Sequence, residues 1–92
     1  MSEVTKAYGE FIRNKRNLKG MTQGEVAKKL GTTQQAYSRY EKGLREPEFD
    51  IMIQISAILE FKPSEFFDGY MAQRFSWYAE RLKERKDDSD NR

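Results

Sequence analysis

Between residues 22 and 43 the chain reads TQGEVAKKLGTTQQAYSRYEKG, and few local structures accommodate such a segment. Thr22 followed three residues later by Glu25 is a capping-box pattern, in which each side chain satisfies the other's unpaired backbone N–H at the start of a helix. Val26, Ala27 and Leu30 form the apolar stripe of that helix. Gly31 tolerates the left-handed conformation that stops it, and Thr32 or Thr33 offers a hydroxyl to cap the next helix. In that second helix, Gln34 to Lys42, only Ala36, Tyr37 and Tyr40 suit the interior, the two tyrosines lying one turn apart. With one glycine and a threonine pair between them, the two short helices have room only for a sharp crossing.

That crossing is helix-turn-helix geometry. The outer face of the second helix presents Gln34, Gln35, Ser38, Arg39 and Lys42, with no carboxylate until Glu41 near its end. Amides and guanidinium groups make bidentate hydrogen bonds to base edges, Gln to adenine and Arg to guanine. A Gln-Gln pair taken alone would mean an ordinary polar surface; the setting on this motif gives it the other reading. Charge is distributed in keeping with that. Residues 1 to 46 carry ten Lys/Arg against five Asp/Glu, whereas residues 47 to 92 carry seven against ten. A cationic region held apart from an acidic one suits a module that meets polyphosphate on one side.

The flanking segments read as further helices. The first starts at Ser2 or Thr5 and runs to about Leu18, with Val4, Tyr8, Phe11, Ile12 and Leu18 on one face and Arg13, Lys15, Arg16 and Lys19 mostly outside it; Gly20 ends it. A fourth begins at Glu48 or Phe49 after Pro47 and turns Ile51, Met52, Ile55, Ile58 and Leu59 inward. Pro63 starts a short fifth helix ending near Phe67, with Phe66 and Phe67 in the core. Asp68-Gly69 reads as a break, after which residues 69–86 form a further helix. There Met71, Phe75, Tyr78 and Leu82 are spaced four, three and four, the seam of a helix pair, and Tyr70 and Trp77 widen it. Folding back onto the domain's own core would cover that surface, but the reading favoured by its breadth is a two-fold homodimer contact. Residues 87–92 are expected to be a disordered tail. The expected architecture is all-α: a five-helix domain over residues 1–68 plus an additional C-terminal helix.

Several function classes lose their usual equipment. The chain has no cysteine and no histidine, so a disulfide framework, a thiolate metal site and the commonest acid/base group are missing. No catalytic residue, metal or cofactor is assigned, and an enzyme is not expected. No apolar run approaches the roughly 18 residues of a membrane span, and MSEVTKAYGE lacks the apolar core of a signal peptide, so a cytoplasmic protein is expected.

From about Tyr8 to Phe67 the chain resembles the phage repressor and Cro class of helix-turn-helix domain, the XRE family, whose five helices bury the first, fourth and fifth around the motif. The resemblance rests on Arg13 and Arg16, MTQGEVAKKLG, SRYEKG, Pro47, the IQISAIL run and PSEFF. It implies that Gln34, Gln35 and Arg39 reach base edges in the major groove, with Thr33 near a thymine methyl or a phosphate. It places Gln23, Ser38, Lys42 and Arg45 with the phosphate contacts, and matches Arg16 and Glu41 to a structural salt bridge between the first and third helices. The implied function is that of a transcriptional regulator, a repressor bound as a homodimer to a near-palindromic double-stranded DNA operator. An antitoxin or restriction-modification controller that regulates its own operon stays open beside it, with a toxin or antirepressor as a further partner; an adaptor that keeps the fold without using DNA is the reading from another class. Three residues depart from the family pattern: Gly24 within the first motif helix, Ser56 where a small alanine is usual, and Glu60 where a glycine normally ends the fourth helix.

Overall fold

Side-chain caps and left-handed turns bound each of the first three helices. The structure, a computed structural model, describes residues 2–90, with side chains as far as Arg85. Among the described residues there are six helices and no strand: α1 (Glu3–Leu18), α2 (Gln23–Leu30), α3 (Gln34–Glu41), α4 (Phe49–Ile58), α5 (Pro63–Arg74) and α6 (Ser76–Asp90). Ser2 Oγ accepts the Thr5 N–H at 3.2 Å to cap α1. At α2 the full capping box forms, Glu25 N–H donating to Thr22 Oγ1 at 3.1 Å and Thr22 N–H to Glu25 Oε1 at 2.9 Å. Thr33, rather than Thr32, caps α3.

Helices α1 to α4 end alike. In each, the backbone N–H that follows a left-handed residue reaches back across it to a carbonyl in the last turn: Met21 to Arg16, Thr32 to Ala27, Leu44 to Arg39 and Phe61 to Ser56, at 2.9–3.2 Å. The residue between takes a positive φ, which is strain-free for Gly20, Gly31 and Gly43 but not for Glu60 at φ 58°. The departure seen in the sequence is therefore absorbed without changing the chain path. Glu60 keeps the loop that a glycine would make, and its carboxylate pairs with Lys19 at 2.9 Å. Ser56, the other departure in α4, is buried and donates its hydroxyl to the Ile53 carbonyl at 2.6 Å.

The core gathers the inward faces of all five domain helices. Ile12, Val26, Tyr37 and Ile55 are fully buried, with Leu59 nearly so. Phe66 is the hub of the aromatic part: Tyr8, Phe11, Phe67 and Tyr70 lie with ring centroids 5.2–5.8 Å from it, three of them edge-on. Such pairs add about 0.5–1.5 kcal/mol each beyond the area they bury. On the opposite side α1 crosses α3 at backbone contact. A β-carbon placed on Gly9 would lie 2.5 Å from both the Tyr40 and Glu41 carbonyl oxygens, so glycine here sets the distance between the two helices.

Four expectations require correction. Leu18 is 83% exposed: it faces solvent at the end of α1, and Met21 packs against the core beyond the Gly20 turn. Phe67 is 43% exposed, contributing one face to the aromatic cluster and the other to solvent. The largest difference is at Asp68-Gly69, where no break occurs and α5 continues to Arg74. Phe66, Tyr70 and Arg74 recur at helical spacing, with Tyr70 on Phe66 and the Arg74 guanidinium 5.1 Å over the Tyr70 ring and paired with Glu3. That continuous packing outweighs the roughly 1 kcal/mol that one helical glycine costs. The break falls instead at Phe75, which is extended (φ −133°, ψ 112°), and α6 turns back along α5 so that Tyr78 donates to Asp68 Oδ1 at 2.6 Å. α6 runs to Asp90 rather than ending at Lys86; of the expected tail, residues 91–92 lie outside the described residues.

Two substitutions test this account with opposite signs. Gly9→Ala is expected to destabilise the chain by about 3 kcal/mol, because neither helix backbone can retreat. Glu60→Gly should stabilise it by about 1 kcal/mol, the left-handed strain exceeding what an exposed ion pair returns. Urea denaturation of both variants reads the two shifts.

Candidate nucleic-acid interface

α3 is held by its inner face and left bare on its outer one. Tyr37 and Tyr40, packed edge-on at 6.4 Å, are buried, while Gln34, Gln35, Arg39 and Lys42 are exposed and Ser38 is half-buried. Glu41, the acid of this helix, does not join that outer face. Its side chain is 2% exposed and accepts from Arg16 Nε at 2.6 Å, Arg16 Nη2 at 3.0 Å and Gln23 Nε2 at 2.9 Å. Arg16 uses its remaining terminal nitrogen, Nη1, on the Met21 carbonyl at 2.8 Å. One guanidinium thus joins α1, the turn before α2 and the end of α3.

The protonation states follow from that geometry. Burial pushes the Glu41 carboxyl up, but hydrogen bonds from Arg16 and Gln23 more than offset it and hold the group below its ordinary range. The same hydrogen bond raises the Arg16 pKa. Tyr37 and Tyr8 have buried hydroxyls without a partner of hydrogen-bonding geometry; burial raises both pKa values, and the Glu41 charge near Tyr37 adds to its shift. Both phenols are neutral spacers around the ion pair.

Gln23 is where the buried pair meets the surface. A carboxylate only accepts, so Nε2 must be the atom that faces Glu41, and the amide orientation is decided. One N–H and the carbonyl oxygen of Gln23 remain for the outside. There Gln23 lines a concavity of about 410 Å³ together with Gln34, Gln35, Ser38, Arg39, Lys42 and Leu44. Among the described residues no carboxylate lines it.

Six of the eight residues expected to contact nucleic acid therefore share one concave surface. Thr33 stands outside the lining, its hydroxyl occupied as the α3 cap, and Arg45 lies exposed in the loop beyond Leu44. A β-carbon at Gly24 would meet Gln34 Oε1 at 3.5 Å, an ordinary contact, so Gln34 lies over the start of α2 and packing does not demand the glycine. Leu44 went unassigned in the sequence. It is 62% exposed and is fixed by the Leu44 N–H to Arg39 carbonyl bond. Its place directly after the Gly43 turn was the available signal, but an apolar side chain does not suggest polyphosphate. Among the six residues expected at a dimer seam, Tyr70 is engaged by the core, Met71, Tyr78 and Leu82 are half-buried, and Phe75 and Trp77 are 42% and 54% exposed. The α5–α6 break means that these six do not share one continuous helix.

A compact helix pair presenting amides and cations around a buried ion pair defines a helix-turn-helix module, and comparison with known proteins agrees. A helix-turn-helix family model matches residues 12–66, more than half of the chain, and the chain belongs to that family. It is similar to an uncharacterized HTH-type transcriptional regulator, YqaE, of Bacillus subtilis (strain 168), 43% identical over 53 residues, covering 58% of this chain and 46% of that one. It is also similar to the SPbeta prophage-derived uncharacterized HTH-type transcriptional regulator YonR of the same organism, 35% identical over 66 residues, covering 72% and 61%. The chain thus spans about half to three-fifths of the length of these relatives. Two solved structures share the fold. The clp gene regulator ClgR from C. glutamicum matches with a TM-score of 0.67 at 21% identity over 73% of this chain and 87% of that one. The restriction-modification controller protein C.AhdI from Aeromonas hydrophila matches with 0.64 at 23% over 72% and 98%.

The depressed Glu41 pKa fixes a sign for pH dependence. The carboxylate contributes stability above its ordinary value of 4.5, and that contribution is lost as pH falls through the lower folded-state value. Glu41→Gln is expected to cost about 3 kcal/mol at neutral pH by leaving Arg16 without its counter-charge. Its stability should also change less than that of the parent chain below pH 4.5. Denaturant midpoints measured across that range check both.

Proposed function

We propose that the chain is a sequence-specific DNA-binding transcriptional regulator of the cytoplasm, acting as a repressor and binding a near-palindromic operator as a homodimer. The observation that carries this reading is the outer face of α3: Gln34, Gln35, Ser38, Arg39 and Lys42 share one concavity with Gln23, and the helix's acid, Glu41, is turned inward onto Arg16. Gln34, Gln35 and Arg39 read base edges in the major groove. Thr33, at the helix start, lies against a thymine methyl or a phosphate. The remaining N–H of Gln23 donates to a phosphate, with Ser38, Lys42 and Arg45 along the backbone. Two such modules related by a two-fold axis place their recognition helices in successive major grooves about 34 Å apart, and occupancy of the operator excludes polymerase. The relatives' descriptions as transcriptional regulators support this reading. Exposed Phe75 and Trp77 supply apolar surface for the second copy.

Base readers and phosphate anchors should fail differently. In gel-shift titrations, Gln35→Ala and Arg39→Ala are expected to relax preference at one base pair each, losing about 1–3 kcal/mol of discrimination. Lys42→Ala should weaken binding to all sequences alike and reduce the slope of log K against log salt by about 1. Unchanged selectivity in both α3 variants would contradict the assignment of readers, and a Lys42→Ala loss confined to one sequence would contradict that of the anchor.

A further inference from the structure

Two apolar surfaces lie apart on the molecule, one concave and one convex. The concave one is a groove of about 170 Å³ walled by Val4 of α1, Pro47 before α4, Phe49 and Met52 of α4, and Phe66 and Phe67 of α5. Phe49 is 78% exposed and Phe67 43%. Among the described residues the charged member of its lining is Glu46, and Glu48 and Asp50 follow it exposed in the chain. Ligand pockets begin at roughly 300 Å³, so a groove of this size holds one large side chain rather than a free small molecule.

The convex surface is Trp77 in the first turn of α6. It packs edge-on against Tyr78 at 5.6 Å and tilted against Phe75 at 5.9 Å, leaving it 54% exposed. The Arg81 guanidinium, one turn further, lies over its ring at 5.8 Å. The bond from Tyr78 to Asp68 ties α6 to α5, which fixes the direction in which Trp77 points. Trp77 takes no part in the lining of its own chain's groove.

Knob and groove match in apolar character and in charge: an aromatic ring carrying a cation, and an apolar trough with a carboxylate on its lip. They also flank one helix. Phe66 and Phe67 lie in the first half of α5, Trp77 follows its C-terminal end, and that end is tied to the start of α1 beside Val4 by the Arg74–Glu3 ion pair. A contact in which each copy's knob enters the other copy's groove is self-complementary, the arrangement that a closed dimer requires. We infer that a second copy of this chain occupies the groove: Trp77 of each protomer seats there, with Arg81 against Glu46 of the partner subunit. The inference rests on the homodimer reading above and names the contact that makes it. A tryptophan in an apolar pocket with a charged rim is the composition that concentrates binding energy at interfaces.

Sedimentation equilibrium of the full chain over a concentration series tests it. Trp77→Ala is expected to raise the dimer dissociation constant by at least about tenfold. Arg81→Glu and Glu46→Arg should each weaken the dimer, and the two together should restore most of the loss. All three positions lie outside the core, so helical content by circular dichroism should stay at the parent level. A Trp77→Ala chain that dimerises as tightly as the parent, or a double charge swap no tighter than either single, overturns the contact while leaving the homodimer standing. A parent chain that is monomeric at every concentration overturns both.

Discussion

The Arg16 guanidinium stands where α1, the turn before α2 and the end of α3 meet, and four hydrogen-bonded contacts to or through Glu41 and Met21 hold those elements in register. A buried ion pair is not in itself a large source of stability, because desolvating both charges cancels much of their attraction. Its effect here is directional. The pair takes the carboxylate of α3 off the outer face, and it fixes the Gln23 amide, through Nε2, at the edge of the concavity. An apolar pair of equal volume could match the packing but would leave Gln23 free to rotate.

That placement works only because the helices can come close. Gly9 lets α1 meet the carbonyls of Tyr40 and Glu41, and Gly43 lies against Lys6, where an added β-carbon would be 2.8 Å from its Cα. Tyr37 and Tyr40 then fill the space beneath α3. Farther from the motif, the Phe66 hub joins α1 to α5, and the stack of Tyr70 and Arg74 carries α5 about two turns further, toward the start of α1. The outer face of α3 and the aromatic surface are thus linked through α1, which contacts α3 on one face and α5 on another. On the proposed function, α1 sets the position of the reading face relative to the second copy.

Most of the motif was legible residue by residue. Thr22 and Glu25 as a capping box, Gly31 as the left-handed stop, Thr33 as a cap and the two tyrosines as core residues act as their chemistry implies, and Arg16 pairs with Glu41. What escaped was information held by tertiary contacts. An isolated glycine inside a helical pattern, Gly9, signals a close approach, but the sequence does not say to what. Gly69 is a breaker by local propensity alone, and the Phe66–Tyr70–Arg74 packing that overrides it is tertiary. Nothing in RFSW announces a break at Phe75; the bond from Tyr78 to Asp68 becomes visible only once α6 folds back. Gln23 was expected to face a phosphate, and its hydrogen bond to Glu41 was not foreseen. The contact is compatible with that role, since an amide has two N–H groups.

On the proposed function, the outer face of α3, held in place by Arg16 and Glu41, reads a DNA sequence in duplicate. Selection of bound sites from a random duplex pool tests it most directly, because the recovered motif reports base preference, half-site spacing and symmetry together. The expected result is enrichment of an inverted repeat whose half-sites lie about one helical turn apart, centre to centre. Recovery of no common motif, at a salt concentration where the parent chain still binds DNA, would contradict it.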